Sequence, residues 1–381
     1  MNEKEISELR RRFKPDKSGI THIRGCCVNE KQEIVSQFDQ SLGMMSQEEG
    51  EMILATLRRT LSGGLGKNLT DIEFSTQQVA DSPEHRLLSA LRDSALQDEE
   101  AVQAFFQTAV RTLDLEGNYL ILLVRDVYDV PRRSASALDG DDAGDQVYTY
   151  LLCSVCPVKL TRPALSFRAH ENQFGHLKVD WMVSPPELGF LFPAFNSRAA
   201  DLYGALFYSR DTAQSHREFV DAVFHVPAPM PPAEQKETFQ SILADSLGEE
   251  CSLQVVQSVQ DQLCGLIQVH KELKEEAPLV ISKDTVRQVL DACGVSGDRA
   301  DGFEARYDAE FGQDASLSPK NLVDTKQTEL RTPDVVIHVN SERGELVTTR
   351  IIDGAKYILI RADEAVQVNG VDIHITPGSD S

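Results

Sequence analysis

Two continuous apolar runs organise the first half of the chain, Tyr119-Leu120-Ile121-Leu122-Leu123-Val124 and Val147-Tyr148-Thr149-Tyr150-Leu151-Leu152-Cys153-Ser154-Val155-Cys156-Pro157-Val158. Both are short enough to be β-strands, and neither shows the regular polar alternation of a strand with one face in water. They therefore predict two adjacent central strands that are buried on both faces. The acidic, glycine-containing residues 138–145 between them predict a loop.

Patterns on either side of these runs predict an α+β fold. Asn2 and Glu5 have the spacing of a capping box, and they open a short helix that Pro15 ends. Ser46 and Glu49 predict the start of a second helix, which reaches about residue 61. We expect a mixed or antiparallel sheet with flanking helices. Further helices are predicted from residue 82 and over 98–113, and further strands over 20–28, 33–38, 177–183, 189–192 and 205–209.

A proline-rich segment, Val226-Pro227-Ala228-Pro229-Met230-Pro231-Pro232, predicts the main domain boundary, because no helix or central strand tolerates four prolines in seven residues. We expect an α+β domain at 1–225, a mainly helical domain at 226–330, and a small β-hairpin module with a flexible tail at 331–381. The helical pattern at 252–273 is long and amphipathic, and it suggests a homodimer contact.

The charge of the chain is unevenly distributed. Residues 1–70 carry 11 Lys and Arg against 10 Asp and Glu, whereas residues 71–381 carry 27 against 50, which together give the net charge of −22. An acidic chain repels phosphate on average, so binding of a nucleic acid would need a local basic patch. No apolar run is long enough to span a membrane, and we expect a cytoplasmic protein with no membrane contact.

The basic patch is predicted at the start of the chain. In the first helix, Ile6, Leu9 and Phe13 share one face, and the three consecutive arginines fall mostly off it, so we expect the arginines to point outward. A second basic stretch without acidic residues lies between Glu51 and Asp71. The candidate nucleic-acid-binding residues are Arg10, Arg11, Arg12, Lys14, Lys17, Arg58, Arg59 and Lys67.

Three other motifs resemble functional sites, but each departs from the pattern that its chemistry requires. The stretch Ser62-Gly63-Gly64-Leu65-Gly66-Lys67-Asn68 resembles a phosphate loop, but it follows a helix and has Asn68 where Ser or Thr would contact Mg²⁺, which favours a turn. Cys153 and Cys156 have the spacing of a zinc or redox pair, but residues i and i+3 of a strand point to opposite faces. The aspartates of residues 138–145 lack the bidentate Glu of a calcium loop. No cofactor, metal site or catalytic residue is predicted.

Several segments together resemble an uncharacterised family of Firmicutes proteins, a domain of unknown function (DUF4317). The likeness spans essentially the whole chain, and it implies no activity and no catalytic residues. The order of the elements is also similar to that of the bacterial nucleoid-associated protein family, which is acidic yet associates with DNA. The segments that carry the first resemblance are Glu8-Leu9-Arg10-Arg11-Arg12-Phe13-Lys14-Pro15-Asp16-Lys17, Leu61-Ser62-Gly63-Gly64-Leu65-Gly66-Lys67-Asn68, Gly117-Asn118-Tyr119-Leu120-Ile121-Leu122, Tyr128-Asp129-Val130-Pro131, Gly189-Phe190-Leu191-Phe192-Pro193-Ala194-Phe195 and Met230-Pro231-Pro232-Ala233-Glu234-Gln235-Lys236.

Three functional hypotheses follow from the sequence. The first is a non-enzymatic protein that associates with DNA or a nucleoprotein complex through the basic patch. The second is a protein-interaction adaptor whose acidic surface binds protein partners, while the arginine segment docks within the chain. The third is a thiol- or metal-dependent enzyme built on Cys153 and Cys156.

Overall fold

The computed structural model describes residues 1–131, 146–177, 179–275, 277–313, 315–362 and 366–374. The chain divides into two compact units, Met1–Glu234 with Glu276–Pro278, and Gln235–Glu275 with Leu279–Ser381. The acidic loop predicted at residues 138–145 lies outside the described residues. Within the described ranges, no helix is both long enough and apolar enough to cross a membrane.

The first unit is built around one large antiparallel sheet. Its helices are α1 (Glu3–Arg10), α2 (Gln47–Arg58), α3 (Thr76–Asp81), α4 (Pro83–Asp93), α5 (Glu99–Thr112) and α6 (Arg217–Phe224). Its strands are β1 (His22–Val28), β2 (Ile34–Ser41), β3 (Leu69–Glu73), β4 (Asn118–Val130), β5 (Gln146–Leu160), β6 (Ala164–Arg168), β7 (Gln173–Leu177), β8 (Trp181–Val183), β9 (Leu188–Phe192), β10 (Ala194–Asn196), β11 (Ala199–Asp201) and β12 (Gly204–Ser209).

The two apolar runs form β4 and β5, which are the central strands of this sheet. The strand order is β2-β1-β4-β5-β9-β12-β3, with β8 pairing to the end of β5. Antiparallel pairing of β4 with β5 runs from Asn118 opposite Val158 to Val130 opposite Gln146. The prediction of adjacent central strands is therefore confirmed, and within the described residues every pairing of this sheet is antiparallel.

Helices cover both faces of the sheet, which explains why these strands are apolar at successive positions. Ile121 and Leu123 of β4 pack into a core with α4, α5 and α6. Leu122 and Val124, one residue out of phase, pack into a separate core with α1 and α2. Continuous apolar runs are usual in buried parallel strands. Here the antiparallel strands have the same sequence pattern because a second helical layer buries the other face of the sheet.

One close contact at the centre of the sheet requires a glycine. Gly189 of β9 lies opposite Ser154 of β5. A Cβ atom at position 189 would overlap the carbonyl oxygen of Cys153 and would lie 2.6 Å from Cγ2 of Thr60. Next to this contact, the hydroxyls of Thr60 and Ser154 are 2.6 Å apart and fully buried. The glycine thus lets the turn after α2 approach the sheet.

The second unit contains a helical core followed by β-hairpins. Fully or almost fully buried residues such as Leu263, Leu290 and Phe303 form its core. With the first unit, this confirms the α+β prediction, including the hairpin-rich end. Its helices are α7 (Pro232–Leu247, which begins in the first unit), α8 (Leu253–Leu273), α9 (Lys283–Ala292), α10 (Gly297–Phe311) and α11 (Pro319–Leu322); its strands pair as β13 (Gln327–Arg331) with β14 (Val336–Asn340), β15 (Val347–Ile352) with β16 (Ala355–Ile360), and β17 (Val366–Val368) with β18 (Val371–Ile373).

Candidate anion-binding surface

The helix that carries the arginines forms as the sequence predicts. Asn2 Oδ1 accepts a hydrogen bond from the Glu5 N–H at 2.9 Å, and the Glu5 carboxylate accepts one from the Asn2 N–H at 2.8 Å. This capping box satisfies two backbone donors that the first turn leaves without helical partners. Ile6 and Leu9 are fully buried against the sheet. The capping box and the apolar face together fix where Arg10 lies.

Arg10 joins the two basic stretches that the sequence places about 50 residues apart. Its Nε donates to the carbonyl oxygen of Leu61 at 2.6 Å, and an Nη donates to that of Gly63 at 2.8 Å. Burial lowers the pKa of Arg10; Glu3 opposes this shift, and Arg58 adds to it. The end of α1 and the turn after α2 therefore belong to one surface.

The Arg12 side chain is 13% exposed and lies in a polar network. Its guanidinium contacts the Asp126 carboxylate at 3.2 and 3.3 Å and lies 4.2 Å from the ring centroid of Tyr128. Asp126 is 1% exposed and also accepts hydrogen bonds from the Tyr150 hydroxyl at 2.8 Å and the Gly19 N–H at 2.7 Å. Burial raises the pKa of Tyr150 well above its usual value, and Asp126 adds to this shift. Arg12 thus neutralises a buried carboxylate.

A second ion pair attaches α1 itself to the rest of the first unit. Arg198, between β10 and β11, contacts the Glu8 carboxylate at 2.7 Å, and the Tyr128 hydroxyl donates to Glu8 at 2.6 Å. The hydrogen bond to Glu8 raises the pKa of Arg198. Glu8 and Arg12 therefore attach the start of the chain to residues far along the sequence.

These contacts correct one expectation. The sequence predicts that all three arginines point outward, but Arg10 and Arg12 bond to the protein itself, and only Arg11 is exposed. Arg10 lies within α1, and its side chain reaches the carbonyl groups of Leu61 and Gly63. Arg12 lies beyond the end of α1, so helical periodicity no longer sets its direction. The N–H of Lys14 then donates to the Arg12 carbonyl at 2.6 Å, in a turn that brings Arg12 over the sheet.

The remaining candidate cations are exposed. We define the basic surface as Arg11, Arg58, Arg59 and Lys67, which lie on the two segments that the hydrogen bonds of Arg10 join. Lys14 and Lys17 are also exposed, with Asp16 between them, but no contact joins them to this group. Among the residues that the structure describes, none of these six side chains forms an ion pair.

The glycine-rich stretch is a turn into β3. The N–H groups of Lys67, Asn68 and Leu69 all donate to the Gly64 carbonyl, at 3.0 to 3.2 Å. The Asn68 side chain donates to the Ser209 carbonyl at 3.0 Å. A phosphate loop needs its N–H groups directed at the ligand, and these three are directed at the protein. What the stretch contributes to the basic surface is the side chain of Lys67.

The cysteine pair is separated by the sheet. Cys153 packs into the core with α4, α5 and α6, and Cys156 into the core with α1 and α2, as their spacing on a strand predicts. Burial raises the pKa of Cys153 well above its usual value and that of Cys156 to about 12. In the described part of the chain, no group of three or more His, Cys, Asp or Glu residues could hold a metal ion. The two thiols therefore lie on opposite faces of the sheet, and both are fully buried.

Two features of the first unit are not predicted by any sequence motif. The Asp126 network has a weak signal, since Arg125 and Asp126 interrupt an otherwise apolar strand, and Tyr150 lies in the other apolar run. The second feature is a group of exposed apolar residues on β6, β7 and β8. β6 pairs with β7 and β8 pairs with the end of β5, and each strand is too short to give a periodicity in the sequence.

Comparisons with known proteins give a family and no activity. No curated protein matches the chain, and no solved structure matches it. These comparisons give no support to the likeness to nucleoid-associated proteins, which stays a prediction. A family model described as a domain of unknown function (DUF4317) matches residues 1–371, which confirms the resemblance drawn from the sequence. The chain therefore belongs to the DUF4317 domain family.

Proposed function

We propose that this is a non-enzymatic cytoplasmic protein that associates with DNA, or with a nucleoprotein complex, through the basic surface. The observation that carries the proposal is the docking of Arg10. It brings the exposed Arg58, Arg59 and Lys67 beside the end of α1, on a chain whose net charge is −22. Unpaired exposed cations on an acidic protein favour a polyanion as the ligand.

The internal role of Arg10 and Arg12 fits this proposal. Both guanidinium groups are held by the protein itself, so they position the surface and leave contact with phosphate to Arg11, Arg58, Arg59 and Lys67. Lys14 and Lys17 extend the exposed cations along the chain. Contacts between exposed cations and phosphates give affinity without base contacts, so we expect little dependence on DNA sequence.

The test is a titration of fluorescent duplex DNA with the full chain over a series of salt concentrations. We expect binding that weakens as salt rises, with a log–log slope of about −0.9 for each phosphate contact. A variant with Arg11, Arg58, Arg59 and Lys67 all changed to Ala should reduce the magnitude of that slope by up to about 3.6. Because all four side chains are exposed, the variant should fold as the parent does.

A matched control removes the same charge elsewhere. Lys31, Arg111, Lys271 and Lys320 are exposed and lie outside the basic surface, and changing these four to Ala also lowers the net charge by 4. The control should keep most of the affinity of the parent. Equal losses in the two variants would indicate a general charge effect, and no binding at low salt would exclude the proposal.

The adaptor is the second candidate, and one observation favours it. It requires the arginine segment to dock within the chain, and Arg10 and Arg12 do so. In that case the acidic surface binds basic protein partners, and the exposed cations serve solubility. Retention of the full chain on a basic matrix, together with no retention on heparin, would favour the adaptor over DNA association.

A further inference from the structure

The guanidinium of Arg125, in the middle of β4, has no partner in the described part of the protein. The side chain is half-buried, and its Nε is fully buried without a hydrogen bond. Among the residues that the structure describes, no carboxylate forms an ion pair with it. The next residue, Asp126, points to the other face of the sheet, where Arg12 pairs with it. Partly burying a cation without a partner costs free energy, so the charge of Arg125 does not stabilise the fold, which favours a role in binding.

Arg125 lies on the face of the sheet that α4, α5 and α6 cover. Side chains alternate between the two faces along a strand, and Ile121 and Leu123 pack into the core with these three helices. Arg125 is in phase with these two residues, whereas α1 and α2, next to the basic surface, cover the other face. An anion bound by Arg125 would therefore occupy a site separate from the basic surface.

A second arginine lies beside Arg125 on the same face. Arg24 of β1 is directly opposite Leu123 of β4, which makes Arg125 its diagonal neighbour. Such neighbours are about 7–8 Å apart and within reach of long side chains. The Nε of Arg24 is also fully buried without a hydrogen bond. Two adjacent guanidinium groups thus have donors that the protein does not use.

The carboxylates that pair with Arg24 are accessible to water. Glu99, in the first turn of α5, accepts hydrogen bonds from both Nη atoms of Arg24 at 2.7 Å, and its side chain is 63% exposed. Asp39 of β2 lies 3.5 Å from Arg24, and its side chain is 37% exposed. Ion pairs of exposed carboxylates contribute little to stability. Another anion can therefore replace Glu99 at Arg24 at a small cost in free energy.

We propose that Arg125 and Arg24 bind a small oxyanion, either a phosphate group or a carboxylate. Arginine directs two parallel N–H groups at two oxygen atoms of such a group, which gives a strong, charge-assisted pair. The bound anion supplies the partner that Arg125 lacks in the protein. Because Arg125 is half-buried on a face covered by helices, the site fits a small anion better than a nucleic-acid duplex.

The test is calorimetric titration of the full chain with inorganic phosphate and, separately, with acetate, at a constant ionic strength set by sodium chloride. We expect saturable binding of one anion per chain, and the ligand with the lower Kd identifies the class of oxyanion. Arg125→Met should raise that Kd by about 10- to 100-fold, the effect expected when a charge-assisted pair is lost. Equal Kd values in the parent and the variant, or no saturable binding of either anion, would overturn the proposal.

The control variant is Arg111→Met, which removes the same charge from an exposed side chain of α5. It should leave the Kd of the anion unchanged. Thermal unfolding in chloride alone separates binding from folding. Arg125→Met should unfold at the same temperature as the parent or at a higher one, since it removes a cation without a partner. A clearly lower Tm would show that Arg125 pairs with a protein group in solution, and the proposal would then be wrong.

Glu99→Gln tests the contribution of Arg24. Loss of the competing carboxylate leaves Arg24 to the ligand and should lower the Kd of the anion by about 2- to 5-fold. An unchanged or higher Kd would remove Arg24 from the site and overturn the assignment to two arginines.

The oxyanion site does not depend on the proposed DNA association, so either can fail alone. The variant with Arg11, Arg58, Arg59 and Lys67 changed to Ala should bind the small anion with the Kd of the parent. Loss of anion binding in that variant but not in Arg125→Met would place the anion on the basic surface and overturn the proposal.

Discussion

Removing the Arg12 guanidinium should destabilise the first unit far more than removing its exposed neighbour. Arg12→Ala leaves Asp126, which is 1% exposed, without its cationic partner. Breaking a buried ion pair from one side costs about 3–5 kcal/mol. Asp126 keeps the donors from Gly19, Tyr150 and the Val127 N–H, which lowers the expected loss to about 2 kcal/mol. The lost contact with the Tyr128 ring adds about 1 kcal/mol.

The expected loss for Arg12→Ala is therefore about 3 kcal/mol of unfolding free energy, or a fall in Tm of about 6–12 °C. Arg11→Ala is the matched control, since it removes the same charge from an exposed side chain, and it should change the free energy by less than about 0.5 kcal/mol. Urea unfolding followed by Trp181 emission reports on the first unit, which contains this single tryptophan.

Two further variants show whether the ion pair between Arg12 and Asp126 is responsible for this loss of stability. Arg12→Lys keeps the charge but not the two-pronged geometry, so it should lie between the parent and Arg12→Ala. In Arg12→Ala with Asp126→Asn, the buried charge is also removed, and part of the stability should return. If Arg12→Ala behaves as Arg11→Ala does, the network does not anchor the start of the chain, and our interpretation of Arg12 is refuted.

Three other predictions follow from the buried groups of the sheet. Thr60→Val leaves the Ser154 hydroxyl buried without its partner and should lower the free energy of unfolding in urea by about 1–3 kcal/mol. Thr60→Val with Ser154→Ala should recover most of that free energy. Equal losses in the single and the double variant would contradict this account. Alkylation of the folded chain should add at most four groups by intact mass, on the half-buried Cys27, Cys251, Cys264 and Cys293, and early modification of Cys26, Cys153 or Cys156 would show that the cores open readily. Burial raises the pKa of Cys26 and of Cys156 from 9.0 to about 12, so the stability that depends on these protonated thiols is complete below about pH 9 and is lost as pH rises toward 12. Across this range the unfolding free energy of the parent should fall faster than that of Cys26→Ala with Cys156→Ala, by up to about 1.4 kcal/mol per pH unit for each thiol. Parallel curves of unfolding free energy against pH for the two proteins would exclude this.

The sequence predicts the parts of this fold that local patterns specify. The capping boxes at Asn2 and Ser46 are present as expected, and β4 and β5 follow from their apolar runs. β3 (Leu69–Glu73) escapes prediction because only Leu69 and Ile72 of its five residues are buried, which gives neither an apolar run nor a regular alternation. The predicted strand at 177–183 corresponds to the end of β7 and to β8, which pair with different partners.

The candidate site is less predictable, because side-chain direction depends on tertiary contacts. Six of the eight predicted cations are exposed, but the adjacent residues Arg11 and Arg12 have opposite surroundings. Which of them faces the protein depends on where α1 ends and on a carboxylate 114 residues further along the chain. No local pattern links Arg12 to Asp126 or Glu8 to Arg198, so only the folded structure separates anchoring arginines from those free to bind a ligand.

The anchoring of α1 also has a consequence for the order of events during synthesis. Glu8 is made 190 residues before its partner Arg198. At about 5–20 residues per second, the ribosome needs roughly 10–40 s to cover that distance. Arg12 gains its partner Asp126 after 114 of these residues, and Glu8 gains Arg198 only after all 190 are made. The beginning of this chain is therefore among the last parts of the first unit to reach its final place, and the nascent segment is exposed to other binding partners until then.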